Sequence, residues 1–288
     1  MFLQLLGEHF VHTAFMAGVV VAAVAGLIGS LVVVRGMAFS VHGIAELGLT
    51  GAAGGLLAGL DATTGALIGS VIVGGALGLL GISGRERDTA TGAVLSAGLG
   101  LGVLFLSLYR GYATTGFGLL FGSITTVSDA QLRELVVVSL AVVGALTLMW
   151  RPLWFASVDP DAAEARGVPV RLLSVVFALL LGAAVAETIQ VTGVLLVLTL
   201  VITPAAAAQL MTASRAAAVA MAVVISMTVT VGGILASLAK PWPASFFISM
   251  FSFAVYCFAR LQGTSLRTGR SLRDKAPLRE AVSGEYGA

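Results

Sequence analysis

His42 and Glu46 stand four residues apart in an otherwise apolar run, Val41-His42-Gly43-Ile44-Ala45-Glu46-Leu47. On a helix that spacing puts both side chains on one face, about one turn apart. A neutral imidazole and a carboxylate so placed could give two ligands to a divalent ion such as Zn2+ or Mn2+, with the others supplied from elsewhere. They could equally hydrogen-bond each other. Glu187 opens a polar stretch, Glu187-Thr188-Ile189-Gln190-Val191-Thr192. If the chain breaks there, Glu187 is either a further ligand at the mouth of a pathway or an exposed loop acid. Glu8 and His12, also four apart and flanking His9, make a third candidate metal set near the N-terminus.

Other chemistries lack their residues. A phosphate-binding Walker A loop needs Gly-Lys-Ser/Thr, and the two lysines, Lys240 and Lys275, follow Ala239 and Asp274. No His-Glu-x-x-His is present, and no nucleophile elbow with a His and acid set is evident, so the chain is not expected to be an enzyme. A lone Cys257 cannot close an internal disulfide.

The elements that must carry these residues follow from composition. Of 288 residues 58% are apolar and 10% charged, with a mean hydropathy of +1.03, which excludes a soluble globular domain. Apolar runs at about 11–34, 42–60, 62–83, 89–109, 133–150, 171–188, 190–210, 216–238 and 242–260 are each near the roughly 20 residues that cross a bilayer as a helix. The expected class is all-α, a polytopic membrane protein of eight or nine spans, with the 188/190 break the least secure. An ionisable group at the centre of such a span costs roughly 2.5–3.5 kcal/mol and tends to face a cavity, which is why His42, Glu46 and Glu187 stand out.

With the N-terminus outside, the cytoplasmic side receives Arg35, Arg85, Arg87, Arg151, Arg166, Arg171, Arg215, Arg260 and five basic tail residues, leaving Arg110, Arg133 and Lys240 outside. This satisfies the positive-inside rule and predicts a multi-pass plasma-membrane protein, N-out and C-in. The first run is too long, and lacks the flanks, for a cleaved signal peptide. Residues 110–132, apolar only briefly and broken by glycines, predict a re-entrant or interfacial piece. The organisation expected is a transmembrane domain over 1–262 and a basic, disordered cytoplasmic tail over 263–288, which could meet anionic lipid. Nothing points to a nucleic-acid partner or a bound cofactor.

Asp159-Pro160-Asp161-Ala162-Ala163-Glu164-Ala165-Arg166-Gly167 reads as a short capped helix between two spans. Asp159 suits the N-cap, Pro160 the first helical position, the acids the positive end and Gly167 the stop. Its exposure and charge suit a docking element, and an ordinary capped loop helix would read the same.

Three stretches together resemble the ABC-3 family, the zinc/manganese permeases of ATP-binding-cassette importers: Val33-Val34-Arg35-Gly36-Met37-Ala38, the Asp159 to Pro169 segment, and Thr192-Gly193-Val194-Leu195-Leu196-Val197 leading to Ile202-Thr203-Pro204-Ala205-Ala206-Ala207-Ala208. The resemblance implies an ABC permease bundle, working as a dimer with a second copy or a paralogue. It implies a cytoplasmic ATPase that consumes the ATP, an external solute-binding protein, and Zn2+ or Mn2+ as cargo. It makes the helix at 159–166 the coupling helix, with Asp159, Pro160, Asp161, Ala163, Glu164, Arg166 and Gly167 as its ATPase-facing motif. The family's second span commonly reads Gly-Asp-Ala-x-Ser-His-Ala-x-x-Pro-Gly, its Asp and His implicated in metal passage. Here His42 falls at the Asp position, Glu46 at the His position and Thr50 at the Pro, so the ligand types are kept in reverse order. The alternatives are an ABC permease for a metal chelate or other nutrient, or a proton-coupled secondary transporter using Glu46 or Glu187 as relay.

Overall fold

The computed structural model describes residues 9–80, 84–109, 122, 127–240 and 242–262. Among them there are helices and no strand. In chain order they are α1 (His9–Val34), α2 (Ala38–Leu57), α3 (Ala62–Leu80), α4 (Gly84–Leu108), α5 (Asp129–Leu148), α6 (Trp150–Val158), α7 (Pro160–Ala165) and α8 (Val170–Thr192). A single 3-10 turn (Val194–Leu196) then leads into α9 (Val197–Val201), α10 (Thr203–Met211) and α11 (Arg215–Ala239), followed by α12 (Ala244–Gln262).

Seven of the described helices are long and apolar enough to cross a membrane: α1, α3, α4, α5, α8, α11 and α12. Two further passages complete the nine expected runs in other ways. The 20-residue α2 has the length, about 30 Å at 1.5 Å per residue, and lies between α3 and α4, but it carries the His42/Glu46 pair. The run expected at 190–210 is a broken passage made of the 3-10 turn, α9 and α10. Its start corrects the sequence reading: there is no break at 188/190. Helix α8 continues through Thr192 and ends where Gly193 takes φ +77° and its N–H reaches the Ile189 carbonyl, a left-handed glycine stop. Thr188 and Thr192 do not interrupt α8, because their hydroxyls donate to the Ala184 and Thr188 carbonyls at 2.7 and 3.0 Å.

The core lies along α1 and α8, whose apolar windows are 67% and 61% buried against 17% for the peripheral α4. Close approach of α2 and α3 depends on glycine. A Cβ on Gly51 would come within 2.6 Å of the Gly65 carbonyl, and one on Gly55 within 2.7 Å of Gly65 Cα, the small-xxx-small packing of membrane helices.

The two ends of the bundle are fastened differently. At the end where α1 and α5 begin, Ser128 and Gln131 form a reciprocal capping box, Thr13 donates to Asp129 at 3.5 Å and Gln131 donates to Thr63 at 3.4 Å. Asp61, in the turn before α3, accepts from Thr64 N–H at 3.0 Å and Thr64 Oγ1 at 2.7 Å, and these bonds hold its carboxyl below the usual range. At the other end lie the α1–α2 turn, α6 and α7. Most of the 110–132 segment and the tail from 263 fall outside the described residues; Gly122, at φ +75°, lies against the Val191–Gly193 backbone, and by Asp129 the chain is in α5.

Candidate functional site

His42 and Glu46 lie on α2, one and two turns past its start at Ala38. At 3.6 residues per turn, positions 42, 46, 49 and 53 fall within about 60° of one another. Neighbouring faces of α2 are occupied: Gly43, Leu47 and Thr50 meet Thr91, Gly98 and Gly102 of α4, while Gly48 and Gly51 meet Ser70 and Gly69 of α3. Thr50, where the family pattern has proline, donates to the Gly98 carbonyl at 2.9 Å and ties α2 to α4. On the face of the pair, Ala53 is buried and Leu49 packs against the core, but His42 and Glu46 are only half-buried. The face therefore opens where it carries its ligand-type side chains, in the half of α2 nearest the α1–α2 turn.

Neither side chain makes a hydrogen bond or ion pair among the described residues, so the mutual hydrogen bond open to them is not formed. One copy of the chain gathers no group of three or more His, Cys, Asp or Glu among the described residues. The pair can supply one imidazole nitrogen and one carboxylate, half or less of what a Zn2+ or Mn2+ ion takes.

Glu187 is differently placed. It is not in a loop but inside α8, 2% exposed, and its Oε2 accepts from Ser139 Oγ of α5 at 2.9 Å; Oε1 has no partner among the described residues. Nothing in the sequence distinguishes Ser139, because one serine in an apolar run carries no signal of what it faces. In the N-terminal set, His12 is exposed and Glu8 lies outside the described residues. It is His9 that approaches an acid, its Nε2 lying 3.8 Å from Asp129 Oδ1 with both side chains largely exposed.

The short helix at 159 forms as its sequence dictates. Asp159 Oδ1 accepts from Ala162 N–H at 2.9 Å and Pro160 takes the first turn. Gly167, at φ +79°, closes it: the Val168 and Gly167 N–H groups reach the Ala163 and Glu164 carbonyls at 3.0 and 2.9 Å. Ala163 is fully buried as the inward anchor, while Asp161, Glu164 and Arg166 are exposed. Arg166 sits over the Phe155 ring at 5.5 Å, fixing α7 against α6.

Arg35, which in the sequence is a topological charge within one of the stretches that carry the family resemblance, is a structural junction. Its Nε donates to Ser157 Oγ of α6 at 2.7 Å, its Nη1 to Ser174 Oγ of α8 at 3.4 Å, and its guanidinium covers the Phe177 ring at 4.7 Å.

The profile of the ABC 3 transport family matches residues 8–262. The chain belongs to the ABC 3 transport family. The manganese transport system membrane protein MntC of Halalkalibacterium halodurans is 29% identical over 278 residues, 94% of this chain and 95% of that one. The Listeria innocua protein of the same name is 30% identical over 214 residues, 74% and 76% of the two chains. Among solved structures, PsaBC from Streptococcus pneumoniae in complex with Fab matches with a TM-score of 0.80 at 27% identity, over 90% of this chain and 94% of that one. An inward-facing putative metal-chelate type ABC transporter shares the fold, with a TM-score of 0.66 at 18% identity over 87% and 85%. As a member of this family, the chain is a multi-pass membrane permease.

Proposed function

We propose that this chain is the permease subunit of an ATP-driven importer of a divalent metal ion, and that His42 and Glu46 are its passage ligands. The observation that carries the reading is the open, unpartnered His42/Glu46 face on a helix whose other faces are packed. An imidazole and a carboxylate held in a span without mutual satisfaction cost stability. A passing cation gives that cost a use. The relatives bear names of manganese systems, so Mn2+ is the first cargo to test and Zn2+ the second. A carboxylate oxygen with an imidazole suits either ion.

The incomplete ligand set calls for a second copy or a close paralogue to bring a second His/Glu pair to a shared pathway. The α7 helix, exposing Asp161, Glu164 and Arg166 around a buried anchor, fits a coupling helix seated in a cytoplasmic ATPase. This orients the chain with the N-terminus outside and the C-terminus inside, as its Lys and Arg distribution favours. His42 and Glu46 then occupy the inner half of their span, suited to release more than to first capture, and an external solute-binding protein delivers the ion. Glu187, buried against Ser139, serves as an interhelical contact between α5 and α8 and not as a ligand. His9 and Asp129 lie at the outer end, near where the delivery protein would dock. The test is uptake of Mn2+ and Zn2+ into proteoliposomes holding this chain with its ATPase. ATP-dependent uptake lost in His42→Ala and Glu46→Ala is the expected result; ATP-independent, proton-driven uptake would replace the reading with a secondary transporter.

A further inference from the structure

We infer that Arg35 is the positioning residue through which movement of the α7 helix reaches the helix bearing His42 and Glu46; this rests on the permease reading above. The geometry singles it out. Arg35 holds both flanks of α7 from outside: Ser157, two residues before the Asp159 cap, and Ser174 with Phe177, in the first turns of α8 after it. The Ser157 hydroxyl that accepts from Arg35 also donates to the Leu153 carbonyl at 2.5 Å, so the guanidinium is bonded to α6 through a fixed rotamer. Phe177 is fully buried, so the ring beneath the guanidinium cannot move without α8.

On its other side Arg35 is joined to α2 by a stiff turn. The Met37 N–H reaches the Val32 carbonyl at 3.0 Å and the Gly36 N–H the Val33 carbonyl at 3.2 Å, with Gly36 at φ +62°, a Schellman closure. Met37 is buried, and α2 starts at the next residue. From Arg35 to His42 the chain passes only through this hydrogen-bonded turn and the first turn of α2. On the neighbouring face of α6 the packing is looser: Trp154 and Val158 line a cavity of about 290 Å³ shared with Ser30 and Val34 of α1, Gln209 and Arg215. Helix α6 thus has open space towards α1 and the α10–α11 turn, and Arg35 is the bonded link that bridges it to α1. A planar guanidinium that bonds two hydroxyls and stacks on an aromatic ring is a fixed fork that lysine cannot reproduce.

The test uses the full permease and ATPase complex in nanodiscs and proteoliposomes, with Arg35→Ala, Arg35→Lys and the double variant Ser157→Ala with Ser174→Ala. A Cys257→Ser background carries one spin label, at Phe39→Cys on α2 or at Leu172→Cys on α8, both exposed positions. In the unsubstituted complex, ATP with vanadate should change both label spectra. In Arg35→Ala the α8 label should still respond and the α2 label should not, and metal moved per ATP should fall about tenfold, within the range of allosteric coupling, while assembly and basal ATP hydrolysis are kept. Arg35→Lys should fall between. If Arg35→Ala does not assemble, the double serine variant, which leaves the arginine in place, decides between the outcomes through the same two labels. An α2 label that still follows nucleotide in any assembled variant lacking these bonds overturns the inference. Absence of ATP-dependent uptake in the unsubstituted complex would instead sink the permease reading on which it rests.

Discussion

Glu46 and Glu187 are both glutamates within membrane-spanning helices, and the fold treats them in opposite ways. Glu187 is sealed between α8 and α5 and bonded to Ser139. Glu46 shares a half-buried face with His42 and bonds to nothing described. An acid that has found a partner in the interior holds helices together, whereas one kept accessible beside a second ligand type is available to a cargo. The intramembrane acid by itself does not distinguish the two roles; its partner does.

The two glutamates should separate under substitution, one in transport and the other in stability. The largest effect is expected from His42→Ala and Glu46→Ala, each lowering metal uptake by about a hundredfold, on the order of 3 kcal/mol, with thermal stability kept or raised, because neither loses a hydrogen bond among the described residues and the cost of holding it in the span is relieved. Uptake assays paired with unfolding of the solubilised complex check this; equal losses of both would erase the contrast. Ser139→Ala should do the reverse. It strands a buried carboxyl and should cost about 1–3 kcal/mol of stability, while uptake per folded complex stays close to wild type. Asp159→Ala removes the α7 cap and should cost about 1 kcal/mol locally, read as loss of ATPase co-purification, with metal binding at α2 intact.

The smallest effect is at Asp61, far from both acids. Thr64 depresses its pKa, so its bonds stabilise the fold above the ordinary carboxylate range and that contribution is lost as pH falls through the lowered value. Exposure screens it, and Asp61→Asn at pH 7 should shift stability by less than about 0.5 kcal/mol in thermal unfolding.

Much of this arrangement is legible in the sequence. Helical spans follow from hydropathy, and α7 from Asp159, Pro160 and Gly167, because capping is a local matter of backbone donors and φ. The order of the motifs points to the family. What stays hidden depends on contacts between distant segments. Glu187-Thr188-Ile189-Gln190 reads as a break by polarity, yet the threonines satisfy themselves on preceding carbonyls and the acid finds Ser139, 48 residues away. The true stop, Gly193, lies just past that polar stretch, and in a chain with 36 glycines, many of them helix-packing contacts, the residue type alone does not mark which one ends a helix. Arg35 is visible as a charge, but its acceptors at 157 and 174 are set by packing. His42 and Glu46 stand out by spacing alone; that their face stays open can be seen only once α3 and α4 have covered the others.

Passage of metal along the His42/Glu46 face can be read from total zinc and manganese in cells lacking this chain, grown under metal limitation and complemented with wild type, His42→Ala, Glu46→Ala or Ser139→Ala at equal expression. One metal, manganese first, should fall on deletion and return with wild type and Ser139→Ala but with neither α2 variant. Full restoration by His42→Ala and Glu46→Ala would contradict the account and move the pathway away from this face of α2.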